Sequence, residues 1–225
     1  MQQASTLFSE EQKQRIAQAV GQAESRTSAE IVPVVATASG RYDRAEDIVG
    51  LWVGLIAMSL VWLLLPKNPL ETGNWGQRSL PMDWGMLIGT MVLGFIVGTA
   101  LGSHVGWLRR LFTPIRQMRE EVAERARQVF FDARVHHTTS RTGLLIYLSL
   151  YERTAVLLAD QMILEKLGQP ALDELCARLV TGLRSGKALE PLCDTIEEAG
   201  SKLAQVLPIA ADDRNEIGNA LVVID

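Results

Sequence analysis

Two apolar runs, 48–65 (IVGLWVGLIAMSLVWLLL) and 84–108 (WGMLIGTMVLGFIVGTALGSHVGWL), constrain this chain more than any other feature. Neither run contains Asp, Glu, Lys or Arg. Each approaches or exceeds the roughly 20 residues that an α-helix needs to cross ~30 Å of hydrocarbon. A chain of 225 residues has little else with which to bury two helices that are apolar on every side. All five tryptophans fall between positions 52 and 107, and Trp52, Trp62, Trp84 and Trp107 stand near the ends of the runs. Amphipathic indoles settle there in a bilayer. The sequence therefore predicts a two-helix transmembrane hairpin over 48–108, with spans 48–65 and 84–108, attached to a soluble body.

The arginines predict its orientation. Arg41 and Arg44 precede the first span, and Arg109, Arg110, Arg116, Arg119, Arg125 and Arg127 follow the second. The turn 66–83 holds only Lys67 and Arg78. The positive-inside rule then puts both termini in the cytoplasm and the turn outside, in an inner (cytoplasmic) membrane. Residues 1–30 read as a polar amphipathic helix, not a cleavable signal.

About 165 residues outside the hairpin suffice for one compact domain with its own core. The net charge of −4, with no basic run beyond the juxtamembrane arginines, argues against a nucleic-acid partner. Cys176 and Cys193 sit on apolar helix faces on the cytosolic side, where thiols stay reduced, and read as core packing.

Along the chain, Ser9 and Gln12 form a capping box, and Ile16, Ala19, Val20 and Ala23 recur at helical spacing. Residues 30–37 (EIVPVVAT) read as a strand, with Pro33 tolerable at an edge or in the first half. Thr113-Pro114 opens a helix to about Asp132, whose buried side is Ile115, Met118, Val122, Val129 and Phe130. Its other side pairs Glu121 with Arg125. The runs 144–150 and 154–159, split by Tyr151-Glu152-Arg153, read as an antiparallel hairpin, with Glu152 an ordinary turn charge. Helices near 161–167, 170–185 and 188–207 follow, and 220–224 closes as a strand. Strands alternating with amphipathic helices make this a three-layer α/β domain, a mixed sheet with flanking helices.

Within the hairpin, Gly94, Gly98, Gly102 and Gly106 repeat every fourth residue, and the first span carries Gly50 and Gly54. Small residues at this spacing let helix backbones approach in lipid. Matching depths place Gly54 opposite Gly98 and Gly50 opposite Gly102. The hairpin packing on itself and a homo-oligomer contact both remain open.

The pieces EQKQRIAQAVGQAESRTSAEIVPVV and RTGLLIYLSLYERTAVLLAD, with the paired helices after them, resemble the TPM domain. The resemblance covers two blocks, 1–45 and 114–225, with the membrane hairpin inserted between them. It implies a bacterial integral membrane protein and, loosely, a LemA-type protein partner. Some members are described as acid phosphatases, with acidic residues in the loop before the second strand. Here that loop reads Ser140-Arg141-Thr142-Gly143: the glycine is kept and the acids are missing.

Catalytic candidates reduce to Asp160 at a strand end and the loop residues Asp212, Asp213 and Glu216. His136-His137 offers no third ligand at metal-binding spacing, and no motif for a bound cofactor is present. Two classes stay open. One is a membrane-anchored binding or assembly module for a membrane or cytosolic protein partner. The other is a phosphatase-type hydrolase using acidic residues at strand ends.

Overall fold

A computed structural model describes residues 3–64, 80–105, 111–133, 135, 141–184, 187–209 and 217–225. The chain forms two compact units, Met1–Gly40 with Arg116–Asp225, and Arg41–Ile115.

The first unit is a mixed α/β fold. Its helices are α1 (Ala4–Leu7), α2 (Glu10–Glu24), α5 (Ile115–Asp132), α6 (Gln161–Lys166), α7 (Gln169–Leu183) and α8 (Leu189–Val206). Its strands are β1 (Glu30–Ala36), β2 (Gly143–Ser149), β3 (Thr154–Ala159) and β4 (Val222–Ile224), in the order β3-β2-β1-β4. β1 runs parallel to β2 and β4, and β3 runs antiparallel to β2.

Both faces of the sheet are covered, which is why the central strands read as unbroken apolar runs. Ile31, Val35, Leu144, Ile146 and Leu148 pack on one side against α2, α7 and α8. Val32, Val34, Ala36, Leu145 and Tyr147 pack on the other against Val122, Ala126, Val129 and Phe130 of α5. Cys176 and Cys193, both free, are half-buried against the first of these cores.

Local signals hold. Ser9 and Gln12 make the reciprocal capping box of α2. Pro33 sits in a central strand but is tolerated. Glu30 N–H points to the β2 side, so alternation turns residue 33 the other way, where β4 begins pairing only at Val34. In that half of the strand the Glu24 carboxylate accepts the N–H of Ile31 at 2.8 Å.

Two details of α5 differ from expectation. Ile115 is 66% exposed, because the covered stripe starts one turn later at Met118 and Ile115 lies at the boundary between the units. Arg125 donates to Gln128 at 3.0 Å and not to Glu121, and the helix's ion pair is Arg116–Glu120 at 2.8 Å. Glu121 lies instead against Gly40, too close for a Cβ there.

The second unit is a helical hairpin of α3 (Asp43–Leu64) and α4 (Leu80–His104). Both helices are long and apolar enough to cross a membrane, over Arg44–Leu64 and Trp84–His104. Only 17% and 11% of an 18-residue apolar window in each is buried, whereas the core helix of a soluble protein is mostly covered. His104 is tied to its own helix, with Nδ1 2.8 Å from the Ala100 carbonyl.

The glycines line the contact between α3 and α4, one turn away from the expected register. A Cβ on Gly98 would fall 2.8 Å from Gly50 Cα, and one on Gly94 would fall 2.9 Å from Gly54 Cα. Gly102 faces Glu46 instead. The expected pairs, 54 with 98 and 50 with 102, took depth from the apolar runs. The helices start earlier, at Asp43 and Leu80, and the register slides accordingly. Gly85 and Gly89 face open space, and Gly106 lies outside the described residues.

Candidate functional site

Open α/β sheets bind ligands beyond the carboxyl ends of their parallel strands. In this chain that edge carries a polar network of buried Tyr147, Ser149 and Glu152 with half-buried Ser39. Leu150 N–H donates to the Ala36 carbonyl and Tyr151 N–H to that of Thr37, both at 3.0 Å. The β2–β3 turn is thereby fastened to the end of β1, and Arg153 reverses it at φ 52°. Glu152 is folded inward and is 3% exposed, so it is not the ordinary turn charge expected.

Every donor in this network has an acceptor. Glu152 Oε1 accepts Ser39 N–H at 2.9 Å and Gly40 N–H at 3.3 Å. Its Oε2 accepts the hydroxyl of Ser149 in a short hydrogen bond. Ser39 donates its hydroxyl proton to Ser149 Oγ at 2.9 Å. Tyr147 must then be the donor in its 3.0 Å contact with Ser39 Oγ. Burial pushes the Tyr147 phenol above its ordinary range, against the opposing pull of Ser39 and Arg125, and keeps it a neutral donor. Three hydroxyls in one direction, ending on a carboxylate whose two oxygens are both hydrogen-bonded within the fold, form a brace.

The sequence candidate Asp160 stands elsewhere. Its N–H donates to the Gly143 carbonyl at 2.9 Å, which places it at the amino end of β2. That is roughly 20 Å along the sheet from Glu152, at ~3.3 Å per strand residue. Its Oδ1 accepts the Gln161 N–H at 2.8 Å, capping α6, while Oδ2 is buried with no partner among the described residues. The kept glycine, Gly143, has a packing reason: the Val135 carbonyl lies where its Cβ would be. Asp212, Asp213 and Glu216 lie outside the described residues, as do His136 and His137. Among the described residues no three His, Cys, Asp or Glu side chains are grouped to hold a metal.

Sequence reasoning missed all four members of the network. Its traces were a serine closing an apolar strand (LLIYLS) and an acid three residues later. Their partner Ser39 lies more than a hundred residues away.

A groove of about 320 Å³ runs along the outer edge of β3, which pairs with no further strand among the described residues. Ala123 and Arg127 of α5 form one wall, and Leu164 of α6 with Gln169, Leu172, Asp173 and Cys176 of α7 forms the other. The Cys176 thiol donates to the Ala155 carbonyl at 3.1 Å, and burial raises its pKa.

The first unit thus belongs to the class of open-sheet α/β modules with helices on both faces. Comparison with solved structures matches the chain to BA42 from the psychrophilic bacterium Bizionia argentinensis, whose structure was determined by NMR. The match covers 99% of each chain at 18% identity with a TM-score of 0.58, which establishes a shared fold. No family model and no curated protein matches the chain.

Proposed function

We propose that this chain is a membrane-anchored binding or assembly module of the TPM type. In this reading α3 and α4 form a transmembrane hairpin and the α/β unit works at the cytosolic face of an inner (cytoplasmic) membrane. Both termini are cytoplasmic and the turn 66–83 is outside, as the arginine asymmetry requires. The TPM-like domain is assembled from two blocks, 1–45 and 114–225, on either side of the hairpin. Its partner is a membrane or cytosolic protein, with the LemA type suggested by the TPM resemblance.

What favours binding over hydrolysis is the engagement of the carboxylates. Among the described residues Glu152 has both oxygens in hydrogen bonds inside the fold, and Asp160 gives Oδ1 to a helix cap while its Oδ2 is buried. A phosphatase needs a carboxylate turned toward substrate or metal. Low burial of the two apolar helices supports the membrane anchor.

Native-membrane purification of the full chain tests this function. A stoichiometric protein partner is expected. A chain that purifies alone and turns over phosphomonoesters, with that turnover abolished by Asp160→Asn or Asp213→Asn, would make the hydrolase reading the correct one.

A further inference from the structure

We propose that the free edge of β3 docks an extended segment of the partner protein, which joins the sheet as a fifth strand. This rests on the binding function above and specifies how the partner is held.

The hydrogen-bond parity of β3 selects the occupant. Because Asp160 N–H pairs with Gly143, residues 154, 156 and 158 turn their main-chain groups toward β2. Ala155, Leu157 and Ala159 turn theirs outward. Cys176 covers the start of this edge, with its thiol on the Ala155 carbonyl. The Leu157 carbonyl and both main-chain groups of Ala159 have no partner among the described residues. Those groups sit on the floor of the groove, ready for another main chain.

Edge strands are normally blunted by charge, proline or a bulge. β3 reads TAVLLA, without charge or proline, and its register with β2 is unbroken. The walls define the rest of the segment. Leu164 offers an apolar surface on one face, and Arg127 on the other makes no ion pair among the described residues. Alternate residues of a strand face opposite ways. The fitting segment therefore alternates apolar residues with polar ones, and carries a carboxylate toward Arg127. A second copy of β3 fits poorly. It would offer Arg127 only Thr154, Val156 and Leu158, and a two-fold axis normal to the sheet would set Arg127 against Arg127.

The test uses the full chain in lipid nanodiscs and a labelled, end-capped peptide, Thr-Val-Asp-Val-Thr-Val-Asp-Val-Thr, followed by anisotropy. Two further peptides are N-methylated at alternate amides, one on the valines and one on the other residues. Strand pairing predicts that one methylated peptide binds like the parent and the other loses binding. Ala159→Pro, which removes an outward N–H and leaves the β2 ladder intact, should weaken binding about tenfold. Cys176→Ala, which uncovers the Ala155 carbonyl, should strengthen it several-fold. Arg127→Glu should reverse the preference between this peptide and its Lys-for-Asp counterpart. Hydrogen exchange of β2 amides confirms that Ala159→Pro is folded.

No binding to the wild-type chain, equal behaviour of the two methylated peptides, or indifference to Ala159→Pro overturns the edge site. Self-association that disappears in Ala159→Pro would identify the occupant as a second copy, and also overturns it. A native partner that co-purifies equally with wild type and Ala159→Pro overturns the edge site while leaving the binding function standing. The lack of any stoichiometric partner removes the binding function itself.

Discussion

Glu152 Oε1 accepts the backbone N–H of Ser39 at 2.9 Å across 113 residues of sequence, and the whole helical hairpin lies within that interval. The carboxylate fastens the last residues of the first unit, Ser39 and Gly40, to the β2–β3 turn. It is the polar tie at the point where the chain leaves the sheet for α3.

Glu152→Ala should therefore be costly. It leaves the buried Ser149 hydroxyl and two half-buried main-chain donors without their acceptor, and an unpaired buried donor costs about 1–3 kcal/mol. We expect a loss of roughly 3 kcal/mol, with Glu152→Gln losing less because its amide oxygen still accepts. Hydrogen exchange at the β1 and β2 amides is the suitable readout, because every tryptophan lies between 52 and 107 and reports elsewhere. Unchanged protection of Val34 and Tyr147 in Glu152→Ala would contradict the brace.

How far this was legible follows from where the information sits. The capping box of Ser9 and Gln12 and the β2–β3 hairpin depend on neighbours close in sequence and could be read directly, whereas Pro33 is tolerated in a central strand because β4, far along the chain, begins pairing only at Val34. The network around Glu152 depends on Ser39, Tyr147 and Ser149 meeting through the parallel pairing of β1 and β2. Long-range register of that kind leaves no local pattern, so a buried acid looked like a turn charge. Asp160 shows the converse. An acid directly between a strand and a helix is also the pattern of an N-cap, and that is the role it takes.

Asp160 gives a second prediction. Asp160→Ala should destabilise the α/β unit by about 1 kcal/mol through loss of the α6 cap, and Asp160→Asn should cost less, since Asn also caps. Neither change should alter phosphomonoester turnover by the full chain, which we expect to be near background with or without divalent metal. Turnover that falls with Asp160→Asn at unchanged stability would show a chemical role.

The buried thiols predict an alkaline limb of stability. Burial raises Cys176 and Cys193, so the folded state keeps protons that the unfolded chain releases from about pH 8.5. Where the unfolded state binds fewer protons, stability falls as pH rises. The contribution is whole below about pH 8.5 and is lost as pH climbs through the raised folded values. Tyr147 adds the same sign from about pH 10. The calorimetric midpoint should decline between pH 8.5 and 10, and Cys176→Ala should make that decline shallower.

Membrane orientation is open to labelling. A cysteine placed at position 73, in a variant lacking Cys176 and Cys193, should react with an impermeant maleimide added to intact cells. Reaction only after the membrane is broken would put the turn inside and reverse the orientation drawn from the arginines.

The glycine register of the helical hairpin yields the most specific prediction. Gly98 faces Gly50 and Gly94 faces Gly54, and in each pair an added Cβ would meet backbone at under 3 Å. Backbone cannot yield as a flexible side-chain tip does, so a larger residue must push the two helices apart. Gly98→Leu and Gly94→Leu should therefore disrupt the hairpin. Gly85→Leu and Gly89→Leu should be tolerated, because nothing lies within 4 Å of those positions. Gly102→Leu should fall between, since its nearest neighbour, Glu46 Cα, is 3.3 Å away. Paired cysteines at 50 and 98, or at 54 and 94, should form intramolecular cross-links, and pairs at 54 and 98 or at 50 and 102 should not. Dominant cross-links between two copies of position 98 would make the ladder an oligomer contact and overturn the intramolecular register.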